Sequence, residues 1–296
     1  MKLHCIPILS ALFTSLVCFS NPATKISDNS PSSGIVIRWN DCEQTIDGFG
    51  IAQAGWAKEL FAFKNRKQVM DKMFGNDGLR LNILRGEIFP HYWENKEDKD
   101  FNLNDDINIE LCDSDFNNKS DDLLRRGQLW LTLEAKNKYH INKLVFSTWS
   151  APAWMKSNGK VSNGKLKPEC YQDFANYLAA FYKAYKSKGI TPYAISPSNE
   201  PGYAAPWNSS LWTADEMGKF ITSNLGPTFQ KENIPAKIIF GENPLWSVVM
   251  PQLKMVSSKD FTDTILQDYP EIKKFNLIAA GHGYSLSPDI MPIKVD

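Results

Sequence analysis

The feature that most constrains this chain is a repeated local pattern. Short apolar runs end in polar or aromatic residues, and each is followed by an amphipathic stretch. The runs are QTIDGFGIAQ (44–53), GLRLNILRGE (78–87), KLVFSTWSAP (143–152), ITPYAISPSNEP (190–201), AKIIFGENP (236–244) and FNLIAAGHGY (275–284). Runs of this length, bounded by Gly, Pro, Asn and Asp, read as buried strands. The stretch QDFANYLAAFYKAYKSKG (172–189) reads as a helix. Its Phe174, Leu178, Phe181 and Tyr185 recur at helical spacing, and Gly189 supplies a stop. Buried strands alternating with helices build a parallel sheet. Six such units in 296 residues predict an α/β fold, a (β/α)8 TIM barrel rather than an open sheet.

In such a barrel the reactive groups stand at the C-terminal ends of the strands. Five of the runs end in groups suited to that place: Arg85 with Glu87, Trp149, Asn199 with Glu200, Glu242 with Asn243, and His282 with Tyr284. Glu200 lies between Asn199 and Pro201. Proline cannot extend a ladder, so it fixes the turn that presents Glu200. An amide beside a carboxyl suits sugar chemistry: one group holds a hydroxyl while the other protonates the leaving oxygen. A glycosidase needs two carboxyl groups, about 5–5.5 Å apart when configuration is retained.

Bulk properties narrow the partners. Thirty-three basic and 33 acidic residues cancel, so no long-range field favours nucleic acid or an anionic membrane. Neither a CxxC pair nor a His/Cys cluster suggests zinc. DSDFNNKSDDLL (113–124) places oxygen ligands at alternate positions, but Asn118 replaces the glycine of a calcium loop and Leu124 its closing glutamate. It reads as a solvated acidic loop, and neither metal nor organic cofactor is expected. Residues 1–20 read as a secretory signal peptide, with Lys2 ahead of an apolar stretch too short for a comfortable span. Cys18 offers lipoprotein anchoring as an alternative. Secretion follows as the expectation, with 21–34 as a linker and 35–296 as the barrel. After cleavage, Cys42, Cys112 and Cys170 allow at most one intrachain disulfide. Asn118 and Asn208 head glycosylation sequons.

The segments DGFGIAQAGW, LNILRGEI, WSAPAWMKSNGK, SPSNEP and GHGY resemble, in order and spacing, family 30 glycoside hydrolases, which include glucosylceramidases, endo-xylanases and endo-β-1,6-galactanases. The resemblance runs from about residue 36 to 290. It implies a TIM barrel with a side β-sandwich whose N-terminal strand falls at 35–47, and hydrolysis with retention. It implies Glu200 as acid/base and Asn199 as the adjacent substrate-binding amide. Arg85 falls on an arginine near the nucleophile, Trp149 on a tryptophan lining the sugar site, and His282 and Tyr284 on a His-x-Tyr pair whose tyrosine hydrogen-bonds the nucleophile. Glu242 tempts as the second carboxylate, but the family carries its nucleophile after the seventh strand. Continuing the spacing puts that strand at about residue 320. About six of eight strands are therefore expected in this chain, without the nucleophile, and the 296 residues alone are expected to be unstable and inactive. The substrate implied is an oligo- or polysaccharide, with xylan and β-1,6-galactan as candidates. A glucosylceramidase-type activity or a non-catalytic carbohydrate-binding remnant are the alternatives.

Overall fold

In the computed structural model the residues described are 45–53, 56–93, 96, 122–247 and 256–284. Six strands form one parallel sheet in chain order: β1 (Gly50–Ala52), β2 (Ile83–Ile88), β3 (Lys143–Thr148), β4 (Ala194–Ser196), β5 (Lys237–Asn243) and β6 (Leu277–Gly281). Each pairs only with its sequence neighbours, the curled arrangement of a part of a TIM barrel. The runs at 34–40 and 113–121, with Cys42, Cys112 and Asn118, lie outside the described residues. Cys170 is a free, buried thiol.

The strands are shorter than the apolar runs suggest. The run 190–201 yields only three strand residues, because Pro192 and Pro197 bracket them and neither offers an N–H to a ladder. Strand alternation then sorts the side chains. On β2, Leu84 and Ile88 turn outward into the helical layer, while Arg85 and Glu87 turn inward. On β3, Leu144 and Phe146 turn outward, and Ser147 inward.

The outer layer forms as its periodicity requires. Helices α1 (Ala57–Ala62), α2 (Arg66–Phe74) and α3 (Asp122–Tyr139) precede β3, and α4 (Tyr171–Ser187) follows it. The α4 stripe of Phe174, Leu178, Phe181 and Tyr185 is fully buried. Phe146 of β3 meets Phe181 and Tyr185 edge-on, at centroid distances of 5.1 and 5.0 Å. Gly189 ends the helix at φ +79°, a backbone that glycine adopts without strain. After β4 come α5 (Ala214–Phe220), a π turn at Ile221–Leu225, and α6 (Gly226–Lys231). Thr213 and Glu216 cap α5 reciprocally. Helix α7 (Ser258–Asp268) joins β5 to β6.

One side chain substitutes for a strand. The Gln53 N–H donates to the Arg85 carbonyl at 2.8 Å, the last rung from the β1 side. Two residues on, the Glu87 main chain faces the same way and meets Gln128 of α3 instead. The Glu87 N–H donates to Gln128 Oε1, and Gln128 Nε2 donates to the Glu87 carbonyl, both at 2.7 Å. We expect Gln128→Leu to strand both main-chain groups and to cost about 1–3 kcal/mol per group left unsatisfied. Urea denaturation checks this, and a loss under 0.5 kcal/mol would exclude such a role, on the scale of ordinary surface substitutions.

Candidate active site

Three strands meet at one buried carboxylate, Glu242. The Arg85 guanidinium donates to Glu242 Oε1 at 3.0 Å, and Ser147 Oγ donates to Oε2 at 2.8 Å. Ser196 Oγ also donates to Oε2. His282 Nε2 stands 3.8 Å from Oε1. Burial opposes ionisation, but the Arg85 charge, then His282 and Ser196, hold the carboxyl down at about 2. Glu242 is therefore a fixed anion with both oxygens engaged.

A β-bulge puts it there. Ile238 and Phe240 of β5 belong to the outward core, so simple alternation would turn Glu242 outward as well. The register shifts between Gly241 and Asn243, leaving Glu242 without a partner on β6. Gly241 has φ +99°, and a Cβ there would meet the Ala280 carbonyl at 2.4 Å, so only glycine fits. Glu242 itself has φ +47°, and the extra residue re-aims its side chain to the barrel interior.

Glu200 is held by its neighbours on both sides. The Asn199 N–H donates to the Thr148 carbonyl at 2.7 Å, and the Glu200 N–H donates to the Glu242 carbonyl at 3.1 Å. Gly202 N–H donates to the buried Asn243 Oδ1 at 2.7 Å, closing the turn after Pro201. Glu200 has φ +52°, a left-handed backbone that costs a non-glycine residue about 1–3 kcal/mol. Its carboxyl, 7% exposed as a residue, pairs with His282 Nδ1 at 3.0 Å. His282 thus stands between Glu200 and Glu242. Burial lowers its basicity, yet the two glutamates outweigh that and raise it.

The remaining residues expected at the site surround this pair. Arg85 also donates to Asn199 Oδ1 at 2.7 Å and lies 4.9 Å from the centroid of the Trp149 ring. Arg85 Nε is buried with no hydrogen-bond partner among the described residues. Tyr284 packs edge-on against His282 at 5.4 Å and interacts with Glu200, while most of its surface is exposed. Burial and then the Glu200 charge raise its phenol. Among the described residues, no group of three or more His, Cys, Asp and Glu could hold a metal ion.

The profile of the glycosyl hydrolase family 30 TIM-barrel domain matches residues 46–269. The chain belongs to glycosyl hydrolase family 30. It is 30% identical over 200 residues to "Putative glucosylceramidase 3" of Caenorhabditis elegans, covering 64% of this chain and 37% of that protein. It is 28% identical over 237 residues to an endo-1,6-β-D-glucanase of Neurospora crassa, covering 74% and 45%. A solved endo-β1,6-glucanase structure superposes with a TM-score of 0.66 at 24% identity, covering 84% of this chain and 54% of that one. The chain spans about half, or less, of the length of these relatives. Among the described residues no helix is long and apolar enough to cross a membrane.

Three features of this family 30 site escape the sequence patterns. Ser147 and Ser196 sit within apolar runs and look like strand filler; their inward register makes them ligands of Glu242. Glu242 is a strand-end carboxylate in the sequence, and the structure pairs it with Arg85. Lys156 is wholly buried, donating to Ser150 Oγ at 3.2 Å and to the Ser209 carbonyl at 2.6 Å. It ties the loop after β3 to the loop after β4, and burial alone lowers it to about 8. A small polar residue inside an apolar strand is the one sequence signal that points to such a network.

Proposed function

We propose that the protein is a secreted, retaining β-glycosidase of a neutral polysaccharide, with Glu200 as acid/base. The observation that carries this is the convergence of Glu200, Asn199, Arg85, Trp149 and His282 at the C-terminal ends of neighbouring strands. The substrate lies across these strand ends, one sugar against Trp149 and a hydroxyl on Asn199. Glu200 gives its proton to the leaving glycosidic oxygen while a nucleophilic carboxylate attacks the anomeric carbon. Glu200 then takes a proton from water, and that water releases the sugar from the covalent intermediate. His282 orients the Glu200 carboxyl, and the fixed charge of Glu242 orients His282 and Arg85.

Glu242 is not the nucleophile in this scheme, because its oxygens are committed to Arg85, Ser147 and Ser196. The nucleophile belongs to the part of the relatives' length that this chain does not span. Arg85 Nε, without a hydrogen-bond partner among the described residues, supports a further acceptor at this point. Xylan and β-1,6-linked galactan or glucan are the candidate polymers; glucosylceramide is the alternative.

The deciding experiment follows the anomeric configuration of first-formed products by proton NMR, using the full-length protein on these polymers. Retained configuration supports the proposal. Inverted product, or hydrolysis that survives loss of the Glu200 carboxyl, would sink it. Binding without turnover by a complete barrel would favour the carbohydrate-binding remnant.

A further inference from the structure

We propose that Glu87 is a specificity-determining residue of this cleft, its carboxyl and the Asn208 amide together hydrogen-bonding hydroxyls of a neutral sugar unit beside the one held by Arg85 and Trp149. The proposal rests on the glycosidase reading of the site. No step of the mechanism above uses Glu87, so its placement needs another account.

Position comes first. Glu87 follows Arg85 by two residues on β2, so both project from the same, inward face. Two residues of strand carry it about 6.6 Å further towards the C-terminal rim, where substrate enters. Arg85 already reaches Asn199 and Trp149. A group one step nearer the opening falls beside the neighbouring sugar unit rather than at the bond to be cut.

Rigidity is the second observation. Gln128 commits both ends of its buried amide to the Glu87 main chain. Gly86 leaves no slack behind it, since a Cβ there would meet Gln128, Phe146 and Gln53 within 3 Å. From the other side, the Asn208 side chain in the loop after β4 bears on the Glu87 carboxyl and favours its ionised form. That loop is itself fixed, because Lys156 holds the adjacent Ser209 carbonyl. A carboxyl positioned from two loops and a helix is a preorganised contact.

Charge is the third. Among the described residues, Arg85 is the one charged group that bears on Glu87, and it is committed to Glu242. The residue is half-buried. Burial therefore dominates and pushes it to about 8, against the smaller opposing effects of Asn208 and Arg85. At neutral pH the group is a carboxylic acid, at once donor and acceptor. That chemistry matches a neutral sugar hydroxyl, which also donates and accepts.

The test is calorimetric titration of the full chain with xylo-oligosaccharides and with β-1,6-linked gluco- and galacto-oligosaccharides, at pH 6.5 and 9.5. For the oligosaccharide that binds, we expect wild-type affinity to fall about tenfold on going to pH 9.5, the worth of one hydrogen bond. Glu87→Gln keeps the affinity at pH 6.5 and loses most of the alkaline fall. Glu87→Leu binds about tenfold more weakly at both pH values, with circular dichroism confirming the fold. Full affinity in Glu87→Leu, or an unchanged alkaline fall in Glu87→Gln, overturns the proposal while leaving the glycosidase reading intact. If the wild type binds none of these sugars, the reading of the cleft fails, and the role of Glu87 with it.

Discussion

Glu200→Gln in the full-length protein is expected to lower polysaccharide hydrolysis by about 10²–10⁴-fold, the range for loss of general acid–base assistance. The substitution keeps the shape of the side chain, so the His282 contact and the left-handed turn survive. An aryl glycoside whose leaving phenol needs no proton distinguishes the two steps. With it, formation of the covalent intermediate proceeds and its hydrolysis by water slows. Added azide, which needs no general base, then accelerates turnover and gives a glycosyl azide of retained configuration. A loss below tenfold on polysaccharide, or no effect of azide, would remove Glu200 from the acid/base role.

Arg85→Leu is expected to cost about 3–5 kcal/mol of stability at neutral pH, because it leaves the buried Glu242 charge without its main partner. Paired with Glu242→Gln, the double variant should lose much less than the sum of the singles, since neither half of the ion pair is then left alone. The pH dependence has a definite sign. Glu242 lies at about 2 in the fold against 4.5 as its ordinary value. Its contribution is therefore complete above 4.5 and disappears as pH falls towards 2. The gap between wild type and Arg85→Leu should close over that window. Glu87 works in the opposite sense: raised to about 8, it weakens the fold as pH climbs from 4.5 through 8. Chemical denaturation across pH 2.5–8 separates the two. A gap that stays constant from neutral to acid pH would rule out the ion pair as its cause.

The strand-end positions were legible in the sequence. Strand periodicity placed Arg85, Trp149, Asn199, Glu200 and His282 at strand ends, and a parallel barrel gathers strand ends at one rim. What escaped were positions whose meaning depends on facing. Ser147 and Ser196 are unremarkable until β3 and β4 turn them inward against Glu242. Gln128 lies on a helix, where its period marks it as ordinary, yet it completes the edge of β2.

Glu242 and Glu200 mark the division most clearly. Composition and period by themselves determined the class of fold and the strand ends, while the resemblance carried by the order of short motifs implied Glu200 as the candidate proton donor. These are properties of the local chain, readable because strands and helices have fixed periods of side-chain direction. The tertiary structure alone decided that Glu242 faces inward, that it is ionised and closed by Arg85 and two serines, and that His282 joins it to Glu200. One inserted residue at the Gly241 bulge reverses the face of a side chain, and a carboxyl's charge depends on partners more than 90 residues away in sequence. Period cannot reveal either; only the packed neighbours do.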